Sequence, residues 1–474
     1  MSFATDRIRV AVRVGTFAGR EQPSQARVLY LSPMAESPGS HAGRQRQRLT
    51  ASVTDLDVVR QRALLVGLIR SRRDKVRGEA SLRELELLTD TAGSEPVESI
   101  LVRRERPTAA TFIGSGKLSE LVSISKIEDI DVVVFDNDLT PAQQRNLQQA
   151  FQCDVVDRVA LILDIFAQHA HTKEGMMQVE LAQLRYRLPR LRGKGIELSR
   201  LGAGIGTRGP GETKLETDRR RILDRIRRIE TLLKDAEQSR ATRSKQRRRA
   251  GDPVVAIVGY TNAGKSTLFN RLTDADVLVQ DQLFATLDST VRKLELAHGH
   301  EALMSDTVGF VRDLPHEVVE AFKSTLEEVA DADLLVHLVD ASDDDPDHQI
   351  ASVHAVLSEI EADDITEIVV FNKSDAVDAT TLSRLRALHS DAVFVSAKTG
   401  EGVPKLLDTI ATGLHAKTIE LALEIPYERG DLLADLHESA DVIATEHNDT
   451  GTAVTVRLPH DQAARYRSYV VAGQ

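Results

Sequence analysis

The sequence predicts an α/β protein, and three observations carry the prediction. Short apolar runs alternate with helical stretches over residues 56–172 and again over 251–415. A glycine-rich loop follows the first strand of the second block and opens a helix. Between the blocks lie two Leu/Ile seams at helical spacing. The expected order is a polar, disordered leader (1–55), a small N-terminal α/β domain (56–172), a helical hairpin with a Gly-rich basic loop (173–250), a phosphate-binding P-loop domain (251–415) and a small α+β C-terminal domain (416–474).

In the leader only the alternation at 8–14 suggests a strand. The first α/β domain should place strands at 63–69, 99–103, 132–135 and 154–156, with helices at 81–89, 117–125, 141–151 and 157–170. Thr140 reads as the N-cap of the third helix and Pro141 as its first residue. The hairpin follows from Met177, Leu181, Leu184, Leu188 and Leu191 on one side and Leu215, Ile222, Ile226, Ile229 and Leu233 on the other, seams that two helices bury against each other. The 23 residues between Leu191 and Leu215 contain seven glycines and should form a loop at the tip, because glycine is costly inside a helix. In the C-terminal segment, strands are expected at 419–425, 441–446 and 453–458 and a helix at 431–439.

Composition narrows the class. One cysteine, Cys153, in 474 residues excludes a disulfide framework and multi-Cys zinc patterns, and fits a reducing compartment. The first 30 residues lack the apolar core of a signal peptide, and no apolar run reaches the roughly 18 residues of a membrane span. The expectation is a cytoplasmic protein with no membrane partner. The net charge of −11 is unevenly distributed: residues 185–250 sum to +13, residues 251–474 to −24 and the first 184 to zero. A concentrated basic segment on an acidic body points to a polyanion, with a solvated helical face as the plain alternative.

The chemistry sits in the second α/β block. Strand 254–258 runs into Gly259-Tyr260-Thr261-Asn262-Ala263-Gly264-Lys265-Ser266, which satisfies G-x-x-x-x-G-K-[ST]. Such a loop turns backbone N–H groups and a helix N-terminus toward a phosphate chain. Lys265 would reach the β- and γ-phosphates, and the Ser266 hydroxyl would ligate Mg²⁺. Asn372-Lys373-Ser374-Asp375, after the apolar strand 368–371, places a carboxylate to accept from guanine N1–H and its exocyclic amine, which selects GTP and GDP over ATP. Ser396-Ala397-Lys398 completes the base pocket with backbone contacts. Asp306-Thr307-Val308-Gly309 supplies an acid for Mg²⁺, through water, and an N–H at Gly309 that senses the γ-phosphate. Thr286 lies where a switch threonine adds a Mg²⁺ ligand. Lys265, Thr286 and Gly309 are the expected catalytic residues.

Phe310 follows Gly309 at the position where Ras-like enzymes carry the glutamine that orients water. Hydrolysis is therefore expected to be slow in isolation and to depend on a potassium ion, another residue or a partner.

Beyond these motifs, the string from Leu198 to Arg221 (LSRLGAGIGTRGPGETKLETDRRR) closely resembles the HflX family of ribosome-associated GTPases, as do 135–147, 284–288 and 306–321. The resemblance covers about 60–415. It implies a GTPase that binds the large (50S) ribosomal subunit, places the glycine-rich loop near the peptidyl-transferase centre and splits or rescues stalled ribosomes under stress. It also implies nucleotide contacts at Phe284, Ala285, Thr286, Leu287 and Asp288, beside those of the other motifs, with Mg²⁺ at Ser266 and Thr286. Lys194, Arg200, Arg208 and Lys214 become the candidate contacts to ribosomal RNA. A monomer with no DNA partner is expected. The alternative is a GTP-dependent regulatory binding module that recruits a protein or a non-ribosomal RNA through the hairpin.

Two weaker patterns complete the reading. Gly114-Ser115-Gly116-Lys117 lacks full P-loop spacing and reads as a turn into a helix, with ATP binding as the lesser alternative. Cys153, His169 and His171 find no further ligand at metal spacing and read as structural or exposed.

Overall fold

A computed structural model describes residues 60–191, 210–250, 253–273, 283–284, 286, 290–296, 301–312, 326, 328–415, 418–459 and 463–471. The leader, including the strand expected at 8–14, and the glycine-rich segment 192–209 lie outside the described residues.

The first layer alternates strand and helix: β1 (Gln61–Ile69), α1 (Lys75–Thr91), β2 (Ser94–Arg103), α2 (Ser115–Ile127), β3 (Val132–Phe135), α3 (Pro141–Phe151), β4 (Asp154–Asp157) and α4 (Arg158–His169). The sheet has the order β2-β1-β3-β4 and is parallel throughout. Both faces are covered, so the central strands β1 and β3 carry unbroken apolar runs at 63–66 and 132–135. Leu65 and Val134 pack with Leu85, Leu88, Ile162 and Phe166 on one side. Leu64, Val133 and Phe135 pack with Leu121, Leu147 and Phe151 on the other. Helix α3 starts as expected, with Thr140 and Gln143 forming a capping box and Pro141 in the first turn.

Two elements begin five or more residues earlier than expected. Strand β2 starts at Ser94, not 99: among the described strands it lies at the edge and pairs only with β1, and Glu95 and Glu98 break the apolar signal. Helix α1 starts at Lys75, not 81, because its first turn is exposed and carries no apolar stripe to read.

Helices α5 (Lys173–Arg190) and α6 (Pro210–Ala250) form the hairpin. Leu181, Ile226 and Ile229 are buried between them, with Met177, Leu184, Leu188, Ile222 and Leu233 at the margins. Arg225–Glu180 (2.6 Å) and Arg185–Glu230 (2.9 Å) pair across the exposed rims. One expectation is corrected here. Lys214, expected in the glycine-rich loop, lies inside α6, which begins at Pro210 and absorbs Gly211. Proline is favourable in a first helical turn, where its missing N–H costs nothing, and that outweighs one glycine.

The second α/β layer comprises β5 (Val254–Gly259), α7 (Lys265–Thr273), β6 (Thr290–Glu295), β7 (Glu301–Asp306), β8 (Leu334–Asp340), α8 (Pro346–Glu359), β9 (Thr366–Asn372), α9 (Ala379–Leu388), β10 (Val393–Phe394) and α10 (Val403–His415). Its sheet runs β10-β9-β8-β5-β7-β6, with β6 antiparallel to β7 and the rest parallel. Connections leave β5 toward both edges, and that reversal opens a crevice beyond its C-terminal end. The last unit pairs β11 (Thr418–Ile425), β12 (Asp441–Asn448) and β13 (Gly451–Pro459) antiparallel in the order β11-β13-β12, with α11 (Gly430–Ser439) against them through Leu436. Among the described residues no helix is long and apolar enough to cross a membrane.

Candidate nucleotide-binding site

The crevice beyond β5 holds a cavity of about 410 Å³. Thr261, Asn262, Gly264, Lys265 and Ser266 line it from the first loop, Phe284 and Thr286 from the next, Thr307 and Gly309 after β7, Asn372, Lys373 and Asp375 after β9, and Ala397 and Lys398 after β10. Sequence segments more than a hundred residues apart therefore meet in one pocket. Gly259 and Asp306 end β5 and β7, and Tyr260, Ala263, Val308, Ser374 and Ser396 adjoin the lining residues in the chain without lining the cavity themselves. Ala285, Leu287 and Asp288 lie outside the described residues, as do Lys194, Arg200 and Arg208.

The loop is held shut from behind by Asn372. Its Nδ2 donates to the Ala263 carbonyl (2.7 Å) and its Oδ1 accepts from the Ala397 N–H (2.8 Å), so one buried side chain fixes the first loop and the last. Gly264, at φ +90°, leaves space that a Cβ would take from Asn372 Nδ2. Arg271 was not singled out in the sequence, yet it donates to the carbonyls of Ala397 (2.6 Å) and Lys398 (2.7 Å) and sets the base-pocket loop. Lys373 bonds Asp340 (2.7 Å), while Asp375 remains exposed and its carboxyl is held below the usual range, chiefly by a hydrogen bond from Ser396. An ionised, solvent-facing acceptor is what a guanine edge needs.

At the phosphate end, Ser266 Oγ donates to Asp306 Oδ2 (2.8 Å) and lies 2.8 Å from Thr286 Oγ1. Asp306 is fully buried, and its other oxygen, Oδ1, has no hydrogen-bond partner. Burial pushes its carboxyl upward, opposed by Lys265 and by bonds from Ser266, Thr307 and Thr286. A buried carboxylate with a spare oxygen beside two hydroxyls is a hard-oxygen set that suits Mg²⁺. Lys265 is buried too, its ammonium donating to the Gly259 (3.1 Å) and Tyr260 (2.8 Å) carbonyls. Gly309 is forced small, since a Cβ there would meet Thr261 and Lys265.

Burial lowers the Lys265 pKa from 10.5 to about 8, with Asp306 pulling it back up. Between those values the unfolded chain holds the proton and the folded chain does not, so stability without ligand rises with pH across that window. A diphosphate restores the charged form. Binding of GDP without Mg²⁺ at pH 8.5 is accordingly expected to take up protons, and calorimetry in two buffers of different ionisation enthalpy should give different heats. Equal heats would show that Lys265 is already fully charged.

Phe310 is a structural residue. It is buried among Ala256, Val258, Leu326 and Leu335, and its backbone pairs with the first loop through Thr261 N–H to Phe310 O (2.6 Å) and Phe310 N–H to Gly259 O (3.1 Å). Phe284, expected as a nucleotide contact, lines the cavity and also stacks edge-on against Phe166 of α4 at 4.6 Å.

Helix α1 reaches the same loops. Glu84 accepts from Tyr260 Oη (2.8 Å), from Arg158 (2.8 Å) and from the Arg312 N–H (3.1 Å), and Arg158 in turn pairs with Asp136 (2.8 Å) and donates to the Arg312 carbonyl (3.2 Å). No sequence spacing announced this group, whose members are separated by up to 228 positions.

Comparison with known proteins finds four family models along the chain. Family models match at 79–167 (GTP-binding GTPase N-terminal), 169–247 (GTP-binding GTPase Middle Region), 254–373 (50S ribosome-binding GTPase) and 383–469 (HflX C-terminal domain). The GTPase HflX of Caldanaerobacter subterraneus is 46% identical over 413 residues, which cover 87% of this chain and 94% of that one. The chain belongs to the HflX family of GTPases. HflX proteins of Lacrimispora saccharolytica (45% identical, 86% of this chain and 96% of that one) and Escherichia coli (43%, 80% and 89%) extend the match. As an HflX-family GTPase the chain carries its ribosome-binding GTPase match over the phosphate end of the cavity, from the first loop to Lys373, while Asp375, Ala397 and Lys398 lie beyond it. The remaining candidates are plain. Gly114 caps α2 without a side-chain bond and Lys117 is tied to Glu120 (2.6 Å). The Cys153 thiol is pushed up to about 12 by burial, which makes it a poor metal ligand.

Proposed function

We propose that this chain is a cytoplasmic, monomeric GTP-driven switch that associates with the 50S subunit through ribosomal RNA and splits or rescues stalled ribosomes under stress. The observation that carries the reading is the joining of a guanine-type pocket to a basic hairpin: α6, within the segment of net charge +13, ends at Ala250, just before β5 delivers the phosphate loop. GTP is held with Asp375 on the base and Lys265 on the phosphates. Ser266 and Thr286, with Asp306 behind them, would hold Mg²⁺, which supplies charge neutralisation on the β- and γ-phosphates. Gly309 N–H and Lys265 orient the γ-phosphate. Phe310 offers no hydrogen bond to water, so a K⁺ ion or the ribosome completes hydrolysis and the free enzyme turns over slowly. Lys194, Arg200, Arg208 and Lys214 contact RNA phosphates, and the blocks 56–172, 173–250, 251–415 and 416–474 act as domains behind the leader 1–55.

Co-sedimentation tests this. The full chain with a non-hydrolysable GTP analogue is expected to enrich with 50S subunits over the GDP state, and replacing the four basic residues with Ala should weaken binding and flatten its log–log salt dependence by up to about four units. Equal recovery in both nucleotide states would overturn the reading.

A further inference from the structure

A second cluster of chemically capable side chains lies in the GTPase sheet, on residues that the nucleotide pocket does not use. His337 sits on β8, Glu367 on β9 and His354 on α8. Register places Glu367 beside Leu335, two residues from His337, so both side chains rise from the same face of adjacent strands toward α8. Both imidazoles converge on one carboxylate. His337 Nδ1 is 2.5 Å from Glu367 Oε1, and His354 Nε2 is 3.1 and 3.0 Å from its two oxygens. One ligand atom from each residue falls within 4.8 Å of the other two.

We propose that His337, His354 and Glu367 form a binding site for a single divalent transition-metal ion of the Zn²⁺ class. Two neutral imidazoles and a carboxylate make a three-ligand set of the kind that holds zinc while leaving a fourth position for water. Zinc bonds of about 2.0–2.2 Å imply ligand–ligand edges of about 3.3 Å in a tetrahedron, and the two contacts to Glu367, 2.5 Å from His337 and 3.0 Å from His354, lie within about an ångström of that edge. Imidazole donors favour Zn²⁺, Ni²⁺, Co²⁺ or Cu²⁺ over the Mg²⁺ of the phosphate site.

Burial supports the assignment from both directions. His337 is fully buried and desolvation lowers its pKa, so it presents the neutral form a metal requires; Glu367 is held ionised, burial being outweighed by His337 and His354. The side chain of His354 is 49% exposed and that of Glu367 23%, which leaves an entry path and room for the water. A bound ion would fasten α8 to β8 and β9. Those strands end at Asp340 and Asn372, the first paired with Lys373 and the second clasping the phosphate loop, so the ion would brace the base-recognition end of the sheet.

The test uses the full chain freed of metal by chelation and then saturated with GDP and Mg²⁺ to occupy the phosphate site. Titration with Co²⁺ is expected to give one equivalent with the intense visible absorption of a four-coordinate ion, displaced by Zn²⁺. His354→Asn and Glu367→Gln should each weaken binding by at least about 100-fold, the upper end of what an outer-shell partner alone costs. His354 is half-exposed, so its variant should melt as the parent does without metal, which separates ligand loss from misfolding. Absence of the absorption band in the parent, or equal Co²⁺ affinity in parent and both variants, would overturn the site; neither outcome bears on guanine binding.

Discussion

Asp375→Asn is expected to lower GTP and GDP affinity by about 100-fold or more and to turn preference toward xanthosine nucleotides. Hydrogen bonds to an ionised acceptor are worth about 1.5–3 kcal/mol each, and guanine offers two donors to this carboxylate. The side chain is solvent-facing and held ionised by Ser396, so it meets the base preorganised, and among the described lining residues no other carboxylate replaces it. A carboxamide keeps one acceptor and gains one donor, which clashes with the guanine amine and suits the carbonyl that xanthine carries in its place. Competition binding with GDP and xanthosine diphosphate checks this directly. Retained GDP affinity in the variant would mean that the base is read elsewhere.

Glu84→Ala is expected to cost about 3–5 kcal/mol of stability, because it strands the buried Arg158 guanidinium with only part of its counter-charge. The side chains of Arg158 and Glu84 are 5% and 11% exposed, and Glu84 also accepts from the Tyr260 hydroxyl and the Arg312 N–H. Denaturant unfolding should show a lower midpoint. The folded variant should in addition bind GDP with altered affinity, since Tyr260 belongs to the phosphate loop. A midpoint unchanged from the parent would show that water substitutes for the carboxylate at this junction.

How much of this was legible depended on whether the interacting residues are neighbours in the chain. The phosphate loop was readable because Gly264, Lys265 and Ser266 adjoin one another and the strand before them is apolar on both faces. Asp375 was readable because Asn372 and Asp375 stand at a fixed offset after another such strand. The α/β class followed for the same reason, and so did the hairpin seam through Leu181 and Ile226. Glu84 and Arg271 were not readable. Each is one charged residue on a helix, and only the fold brings Glu84 to Tyr260 across 176 positions or Arg271 to Ala397 across 126. Phe284 was read for one of its two surroundings: the motif pointed to the nucleotide, whereas its ring also joins the core containing Phe166 and Val179. The edge strand β2 and the exposed start of α1 were cut short because half-exposed backbone leaves no strong apolar period.

Helix α6 has a mechanical consequence. Its 41 residues amount to about 60 Å of helix at about 1.5 Å per residue, with one end a few residues before β5, the strand that leads into the phosphate loop. Geometry alone sets the leverage: a rigid tilt of about 5° pivoting at Ala250 would sweep Pro210 through about 5 Å, a displacement the size of a side chain at the far tip.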